Sequence, residues 1–500
     1  MTVQRVAGVP LCEDHTSVEH PHLFEISAWP WLERLSAREH RRVTLADVPG
    51  AEWDVIAARG FTHVFLMGVW RRSPLGRAIA LDHAGLRAEY GDALPGWTAD
   101  DVVGSPYCIQ AYEPDARMGG WDALAAARKE LNRRGLALVL DFVPNHTAFD
   151  HRWVTEYPER YVLGNEDDLR FAPDAFRPAG GSVIACGRDP YFPAWTDVAQ
   201  LNYFNPATRD AMAGELAAIA AHCDGVRCDM AMLVLNEVFE QTWRPLLRER
   251  WTAPATEFWP SARAAAPDTL LVAEVYWDLE WTLQQQGFSF TYDKRLLDRL
   301  RASTPEDVRG HLRAEPAYRD RLARFLENHD ESRSAVTLAR RLPAAAVLLS
   351  TLPGMRFYFD GQLEGRRLRS PVQLGRWHDE PVDRAIQDLY DRLLRATASP
   401  LFHDGDWRLL EVAPASDSSF GDLIAYRWRH AAQLALVVVN LGEGAASGYV
   451  PIRAELPRGE SVDLMDLLTG TKRRVPRRSL DVRGLFVRLP PGGARLLVVS

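Results

Sequence analysis

Eight short apolar segments recur along this chain, and longer segments with helical spacing separate them. They are residues 24–29, 63–69, 137–143, 225–230, 270–275, 287–292, 324–329 and 355–360. Strand-like segments that alternate with helix-like ones are typical of βα units around a parallel sheet. Eight such units favour a closed barrel over an open sheet. We therefore predict an α/β fold of the (β/α)8 TIM-barrel type.

Two parts of the chain interrupt this pattern. The segment after the third predicted strand is rich in Pro, Gly, Asp and aromatic residues and is far longer than an ordinary βα loop. We predict an inserted subdomain at 149–200, over the carboxyl-terminal mouth of the barrel. From residue 399 to 500 the pattern changes to alternating strands, which predicts a C-terminal antiparallel β-sandwich. The barrel then comprises 1–148 and 201–398.

Three acidic residues stand at the ends of apolar runs. Asp229 follows GVRC, Glu274 follows LLVA, and Asp330 ends RFLENHD. In a barrel the carboxyl ends of all strands meet at one rim, where the active site lies. Each acid alone has an ordinary structural explanation, such as an ion pair or a helix N-cap. Three acids at one rim instead predict a carboxylate site.

Two of these acids have surroundings suited to cleaving a glycosidic bond with retention. That reaction needs a nucleophilic carboxylate and a protonated carboxyl group about 5–5.5 Å away. Arg227 is two residues before Asp229 on the same strand face, so we expect it to keep Asp229 ionised with a lowered pKa. Glu274 lies among apolar and aromatic residues, which raise the pKa of a carboxyl group as a general acid requires.

The chain resembles the α-amylase family of retaining glycoside hydrolases, glycoside hydrolase family 13, over most of the barrel. The family's four signatures match D-x-x-x-N-H at 141–146, G-x-R-x-D at 225–229, Glu274, and N-H-D at 328–330. Each motif is weak alone, but the four stand in order on predicted strands three, four, five and seven. Further matches are Tyr107 in GSPYCIQAY, QLNYFNP around Asn202, and LPGMRFYFDGQLEG.

This resemblance implies a role for each candidate residue. Asp229 would be the nucleophile, Glu274 the acid that later acts as base, and Asp330 would bind the 2- and 3-hydroxyls of the sugar. Four other side chains would bind substrate: Tyr107 would stack beneath the ring, Arg227 would orient Asp229, and His146 and His329 would hydrogen-bond to hydroxyls.

The sequence departs from the family pattern just after the nucleophile. Many starch-degrading members have a Lys-His pair where this chain has Met232 and Leu233. That pair contributes to leaving-group subsites and to a structural calcium, so its absence disfavours long-chain starch hydrolysis and tight calcium binding. Asn145 keeps one oxygen ligand of that calcium site, against the six to eight that calcium takes. We expect no required cofactor and leave calcium open.

Composition bounds the partners and the location. The net charge of −8 offers no general attraction to nucleic acid or to acidic membranes. The first residues lack the pattern of a secretory signal, and no apolar run is long enough to span a bilayer. The five cysteines are scattered and odd in number, which favours free thiols in a reducing compartment. We expect a cytoplasmic protein, and its oligomeric state is open.

These observations favour a retaining glycoside hydrolase acting on α-glucosidic bonds of α-1,4-glucans, malto-oligosaccharides or related α-glucosides. A transglycosylase or glucanotransferase, an isomerase and a phosphorylase remain as alternatives, because all would share the same glycosyl-enzyme. A non-catalytic carbohydrate-binding barrel is the alternative from another class. The presence of all three acids and Arg227 argues against it.

Overall fold

The computed structural model describes residues 18–246, 252–452, 456 and 459–499. Eight parallel strands close into a barrel. Each barrel strand pairs with the barrel strands before and after it in the chain, and the first pairs with the last. The barrel strands are His22–Ser27, His63–Met67, Ala137–Phe142, Gly225–Cys228, Leu270–Ala273, Phe290–Tyr292, Leu322–Arg324 and Met355–Phe359. The predicted (β/α)8 barrel is confirmed.

Helices connect these strands and pack on the outside of the barrel, and a few short ones lie in the insertion and in the C-terminal region. The longer ones are Ala28–Glu39, Gly50–Ala58, Pro74–Asp82, Ala84–Ala93, Gly120–Asn132, Pro206–Ala220, Asn236–Trp243, Phe258–Ala265, Lys294–Ala302, Pro305–Leu312, Leu342–Thr351 and Arg384–Thr397. Shorter ones are Trp153–Glu156, Glu166–Phe171, Glu280–Gln285, Pro316–Arg319, Ser334–Thr337, Pro400–His403 and Arg477–Arg483. In the described part of the chain, none of the helices combines the length and hydropathy needed to cross a bilayer.

Side chains alternate in direction along each strand, so one set fills the barrel interior and the other packs beneath the helices. Leu23, Phe65 and Val139 belong to an interior cluster, together with Val272 and Phe357 from the other side of the barrel. Their sequence neighbours pack instead against the helices, within the main core. Because side chains alternate between the two faces of a strand, residues two positions further along also point inward. This parity decides which strand-end side chains reach the centre of the rim.

The insertion after the third strand forms a small antiparallel sheet. Its strands are His146–Ala148, Leu163–Gly164, Phe176–Ala179, Ser182–Gly187 and Trp195–Gln200. The first strand of this sheet begins four residues after the third barrel strand, and it pairs with the last one through His146 and Gln200. A separate two-stranded ribbon, Trp70–Arg72 with Ile109–Pro114, precedes the insertion.

The C-terminal region consists of antiparallel sheets, as predicted. A six-stranded sheet contains Asp406–Leu410, Leu423–His430, Gln433–Asn440, Ala494–Val499, Ser461–Asp466 and Lys472–Pro476 in spatial order. A three-stranded sheet contains Ala413–Pro414, Ala446–Val450 and Leu485–Leu489. A separate apolar cluster lies within this region and includes Leu436, Val438 and Val487.

The seventh strand differs from its prediction. We expected residues 324–329, whereas the strand is Leu322–Arg324 and the following residues form a loop. Glu327 is completely buried in that loop, where it accepts hydrogen bonds from Arg333 and from the Ser334 backbone N–H. A buried carboxylate must be paired, and Glu327 reaches Arg333 and Ser334 from the loop conformation that follows the strand. Asp330 therefore lies in a loop, six residues beyond the strand end.

Candidate active site

Strand parity brings four polar side chains to the interior of the barrel rim. Arg227 is two residues after Gly225 and lies opposite Asp141 and Val272 in the strand register. Glu274 is two residues after Val272, so it faces the same way. Glu25 follows Leu23 by two residues and also points inward. All four residues are at most 3% exposed, although charged residues are seldom buried unless paired.

Arg227 links the two carboxylates predicted to perform catalysis. Its Nη1 donates to Asp229 Oδ1 at 2.7 Å, and its Nη2 donates to Glu274 Oε2 at 2.7 Å. Nη1 also lies 3.5 Å from Asp141 Oδ1. Tyr292 accepts from the Nε of Arg227 at 3.3 Å, so the guanidinium is fixed on three sides. One rigid, planar cation thus places Asp229 and Glu274 side by side.

Glu274 has the environment expected of a general acid. Besides Arg227, it accepts hydrogen bonds from the Met230 backbone N–H at 2.8 Å and from the Tyr276 hydroxyl at 2.8 Å. Met230 has a positive φ of 40°, a strained conformation that turns its N–H toward Glu274. Burial raises the pKa of Glu274 to about 7, and nearby Asp229 contributes, despite the opposing charge of Arg227. The predicted direction of this pKa shift agrees with the structure.

The expected pKa shift of Asp229 was wrong. Burial raises the pKa of this carboxyl group above its ordinary value, and the charge and hydrogen bond of Arg227 offset that effect only in part. The reason is that Arg227 is shared: one positive charge serves Asp229, Glu274 and Asp141. Asp229 is held in place by this contact, and its backbone N–H donates to Phe142 O at 2.8 Å.

Asp330 and His329 form a second part of the site. His329 Nε2 lies 3.0 Å from Asp330 Oδ2 and 2.7 Å from the Tyr107 hydroxyl. Its Nδ1 lies 2.5 Å from Glu25 Oε1, and the Tyr107 ring stacks against the imidazole. Burial lowers the pKa of His329, but the carboxylates of Asp330 and Glu25 outweigh it and hold the pKa well above its ordinary value. The Asp330 side chain is 48% exposed, so it faces the open mouth.

His146 and Asn145 lie where the third strand passes into the insertion. His146 Nε2 is 3.2 Å from Tyr107 O, and burial lowers the pKa of this histidine to about 4. The Asn145 amide exchanges hydrogen bonds with the Gln200 side chain, at 2.9 and 3.2 Å. Asn145 Oδ1 therefore already accepts a hydrogen bond from a neutral amide. Within the described residues, no group of three or more His, Cys, Asp or Glu side chains is placed to hold a metal.

The structure thus brings together every predicted site residue, namely Tyr107, His146, Arg227, Asp229, Glu274, His329 and Asp330. Glu25, Tyr276 and Tyr292 were missed as direct partners. Glu25 could have been found, because an acid within the apolar strand HLFEIS must be paired once it is buried. Tyr276 and Tyr292 carry no such signal, since a tyrosine beside a strand end is ordinary core.

No family model matches the chain. Two curated proteins share sequence with it: α-amylase 3 of Dictyoglomus thermophilum is 24% identical over 290 residues, and α-amylase MalA of Haloarcula japonica is 27% identical over 350 residues. The matches cover 50% and 68% of this chain, and 52% and 47% of the two relatives. The chain therefore spans about half the length of the curated relatives it matches.

Solved structures of α-amylases resemble the whole architecture. A maltogenic α-amylase from Thermotoga neapolitana has a TM-score of 0.67 at 18% identity, covering 96% of this chain and 98% of that one. An α-amylase from H. orenii has a TM-score of 0.65 at 18% identity, covering 96% and 100%. An acarbose complex of the Geobacillus thermoleovorans α-amylase has a TM-score of 0.64 at 16% identity, covering 96% and 98%.

At such identities the structures show the fold alone. The fold is a (β/α)8 barrel with a C-terminal sheet domain, the architecture shared with these α-amylase structures. Together with the sequence matches to the two curated α-amylases, it confirms the predicted resemblance to the α-amylase family.

Proposed function

We propose that this chain is a retaining glycoside hydrolase acting on α-glucosidic bonds. The observation that carries the proposal is the bridge from one guanidinium, that of Arg227, to both Asp229 and Glu274. Two carboxylates held by the two nitrogens of one guanidinium can act on the same glycosidic bond, and the retaining mechanism that we propose places such a pair about 5–5.5 Å apart. Their environments also differ, since Glu274 accepts from Met230 and Tyr276.

The geometry supports a double displacement. Asp229 attacks the anomeric carbon while Glu274, protonated up to about pH 7, donates its proton to the leaving oxygen. The Glu274 carboxylate then takes a proton from water, which attacks the glycosyl-enzyme from the same side and releases the product with its α-configuration. Asp330 and His329 bind ring hydroxyls, and these contacts strengthen in the oxocarbenium-like transition state. Tyr107 lies beneath this position, stacked on His329.

The substrate is best described as a short α-glucoside or malto-oligosaccharide. Met232 and Leu233 are fully buried in a turn after the fourth strand, so neither side chain is available to a leaving-group subsite. Because the Asn145 amide is paired with Gln200, we further propose that the reaction needs no calcium at this position. A cytoplasmic location remains part of the proposal, supported by the four free, buried cysteines of the described residues.

The test is turnover of maltose, maltotetraose, sucrose, trehalose and an aryl α-maltoside by the parent protein and by Asp229→Asn. We expect hydrolysis with the α-anomer as first product by NMR, and a loss of at least about a thousandfold in the variant. The matched control is Asp224→Asn, at the opposite end of the same strand, where the carboxylate pairs with Arg128. Initial β-product, or equal activity of Asp229→Asn and parent, would contradict the proposal.

A further inference from the structure

A small cavity lies beside His329, on the side of the barrel away from Glu274. Ser27, Met67 and Trp377 line it from the ends of the first and second strands and from the loop after the eighth. In an eight-stranded barrel the first strand is diametrically opposite the fifth, which Glu274 follows. The cavity has a volume of about 10 Å³, which is room for about one water molecule. A sugar ring does not fit there.

Two loops that border this cavity are joined by backbone hydrogen bonds. They are the second-strand loop, residues 68–119, and the eighth-strand loop, residues 360–383. Val103 N donates to Gln373 O at 2.8 Å, and Gly375 N donates to Asp101 O at 2.7 Å. Asp101 also forms an ion pair with Arg376. A Cβ atom at Gly375 would lie only 2.8 Å from Val103 Cγ1, so the two loops are in close contact.

Arg72 ties the same two loops together through its side chain. Its Nη1 donates to Gly104 O at 2.6 Å, in the second-strand loop, and to Val372 O at 3.2 Å, in the eighth-strand loop. The guanidinium carbon also lies 5.1 Å from the centre of the Trp29 ring. The charge of Arg72 is thus used to hold backbone in place, and it fixes the loops relative to the barrel.

Apolar packing anchors the eighth-strand loop at both faces. Val372 packs against the apolar cluster of the barrel interior, as Tyr107 does. Leu374 belongs to a different cluster, which it shares with the helices Pro74–Asp82 and Ala84–Ala93 of the second-strand loop. Since hydrogen bonds, an ion pair and apolar contacts all join these elements, the two loops form one fixed wall beside the sugar site.

This wall stands where an α-1,4-linked chain would continue from the sugar that is cleaved. Glu274 protonates the oxygen on C1, so the leaving group lies on the side of Glu274. The 4-hydroxyl of a pyranose is across the ring from C1, beyond the 2- and 3-hydroxyls that Asp330 binds. A glucose unit attached through the 4-hydroxyl therefore extends away from Glu274, toward the first, second and eighth strands.

The side of the acid is different. Trp277 follows Glu274 by three residues, and its ring contacts that of Tyr191 from the insertion, at a centroid distance of 4.8 Å. Tyr191 and its neighbour Phe192 are both exposed. A leaving group that extends past Glu274 thus has exposed aromatic surface beside it, whereas the opposite end of the sugar meets the wall.

We propose that this wall closes the site behind a single glucosyl residue, so that the enzyme removes glucose one unit at a time from non-reducing ends. The substrates are then α-glucosides and malto-oligosaccharides whose terminal 4-hydroxyl is free, and bonds inside a chain are excluded. Exclusion by shape discriminates between substrates through a clash, without any gain in contacts. This inference rests on the proposed function of the same site and deepens it.

Substrates that differ only at the non-reducing end test the inference. Hydrolysis of an aryl α-maltotetraoside is compared with that of the same compound blocked by a 4,6-O-benzylidene acetal on its terminal residue. We expect glucose as the first sugar released from the free compound, and cleavage of the blocked compound at least about a hundredfold more slowly. Maltose or a longer sugar as first product, or equal cleavage of both compounds, overturns the inference while the proposed function stands.

Opening the wall should relax this exclusion. Trp377 lines the cavity and packs on Phe359 at a ring-centroid distance of 5.8 Å, so Trp377→Ala enlarges the space. We expect the ratio of the rates on the blocked and free compounds to rise about tenfold or more, and Arg376→Gln to raise it less. The control is Phe486→Ala, an exposed aromatic residue of the C-terminal three-stranded sheet, which should keep the ratio of the parent.

The rate on the free compound shows whether each variant is folded. If Trp377→Ala is active and its ratio equals that of the parent, the assignment of the exclusion to this wall is overturned. If no α-glucoside is turned over, the proposed function fails, and calorimetry of methyl α-maltoside and its terminal benzylidene acetal still decides on the wall. Equal affinity for the two overturns the inference, and binding of the acetal that is weaker by about tenfold or more supports it.

Discussion

At the scale of single residues, the site has fewer positive charges than carboxylates, so each cation is shared among several carboxylates. Arg227 is shared by Asp229, Glu274 and Asp141, and His329 is shared by Asp330 and Glu25. Burial raises the pKa values of Asp229 and Glu274, and the one arginine that both contact offsets this only in part. It is the balance of burial against shared charge, and not the presence of an arginine alone, that sets their protonation.

Glu274→Gln tests this assignment through pH. Because the pKa of Glu274 is raised to about 7, its acid form is present below that pH and is lost above it. We expect kcat/KM of the parent enzyme for an aryl α-glucoside to fall above about pH 7, and Glu274→Gln to lack this basic limb. Its turnover should drop most for poor leaving groups, and azide should restore deglycosylation. An unchanged basic limb in the variant would mean that Glu274 is not the acid.

At the scale of elements, the loop after the seventh strand shows how a short strand brings Asp330 to the barrel rim. The strand ends at Arg324, and the chain then uses buried polar contacts in place of sheet pairing. Asn328 Oδ1 accepts from the backbone N–H groups of Asp330 and Glu331, at 3.0 and 2.9 Å. Glu327 anchors the loop to Arg333. These contacts fix the direction in which Asp330 points.

Removing the charge of this anchor should loosen the loop. In Glu327→Gln the buried Arg333 loses its carboxylate partner, which typically costs about 3–5 kcal/mol of unfolding free energy. We expect a lower midpoint in urea denaturation and a reduced kcat, since Asp330 loses its support. The control is Glu113→Gln, whose exposed ion pair with Arg71 contributes little. Equal stability of the Glu327→Gln and Glu113→Gln variants would contradict this account.

At the scale of the whole molecule, the barrel and one face of the six-stranded C-terminal sheet share one core. Trp428 is fully buried, and its Nε1 donates to Thr351 O, in a barrel helix, at 2.6 Å. The Tyr426 hydroxyl lies 2.5 Å from Thr351 Oγ1, and the guanidinium of Arg356 lies 5.4 Å from the Trp428 ring centre. The six-stranded sheet is thus packed directly against the barrel, on the side of the helix Leu342–Thr351.

This contact predicts cooperative unfolding. We expect a single calorimetric transition for the full chain, and a loss of about 3–5 kcal/mol in Trp428→Ala, the usual cost of truncating a buried tryptophan. The matched control is Trp281→Ala, because Trp281 is 46% exposed and should tolerate the change. Two separate transitions, with only one of them shifted by Trp428→Ala, would show that the regions unfold independently.

The sequence by itself determined the barrel and most of the site. Eight apolar segments overlap the eight observed strands, because burial on both faces demands continuous apolar runs. Asp229, Glu274 and Arg227 were found because strand parity and strand ends are local properties of the chain. The same parity would have found Glu25, an acid in an otherwise apolar strand.

Only the tertiary structure decided how charge is distributed among these residues. Burial raises the pKa of Asp229, the charge of Arg227 offsets this only in part, and the carboxylate of Asp141, from another strand, adds to the increase. Arg227 also contacts Asp141 and Glu274. The placement of Asp330 depends on a loop stabilised by contacts among Glu327, Arg333 and Ser334. These contacts stabilise the loop only once the three residues are buried together. Solvation and shared counter-ions are properties of the assembled rim, and no local pattern in the chain encodes them.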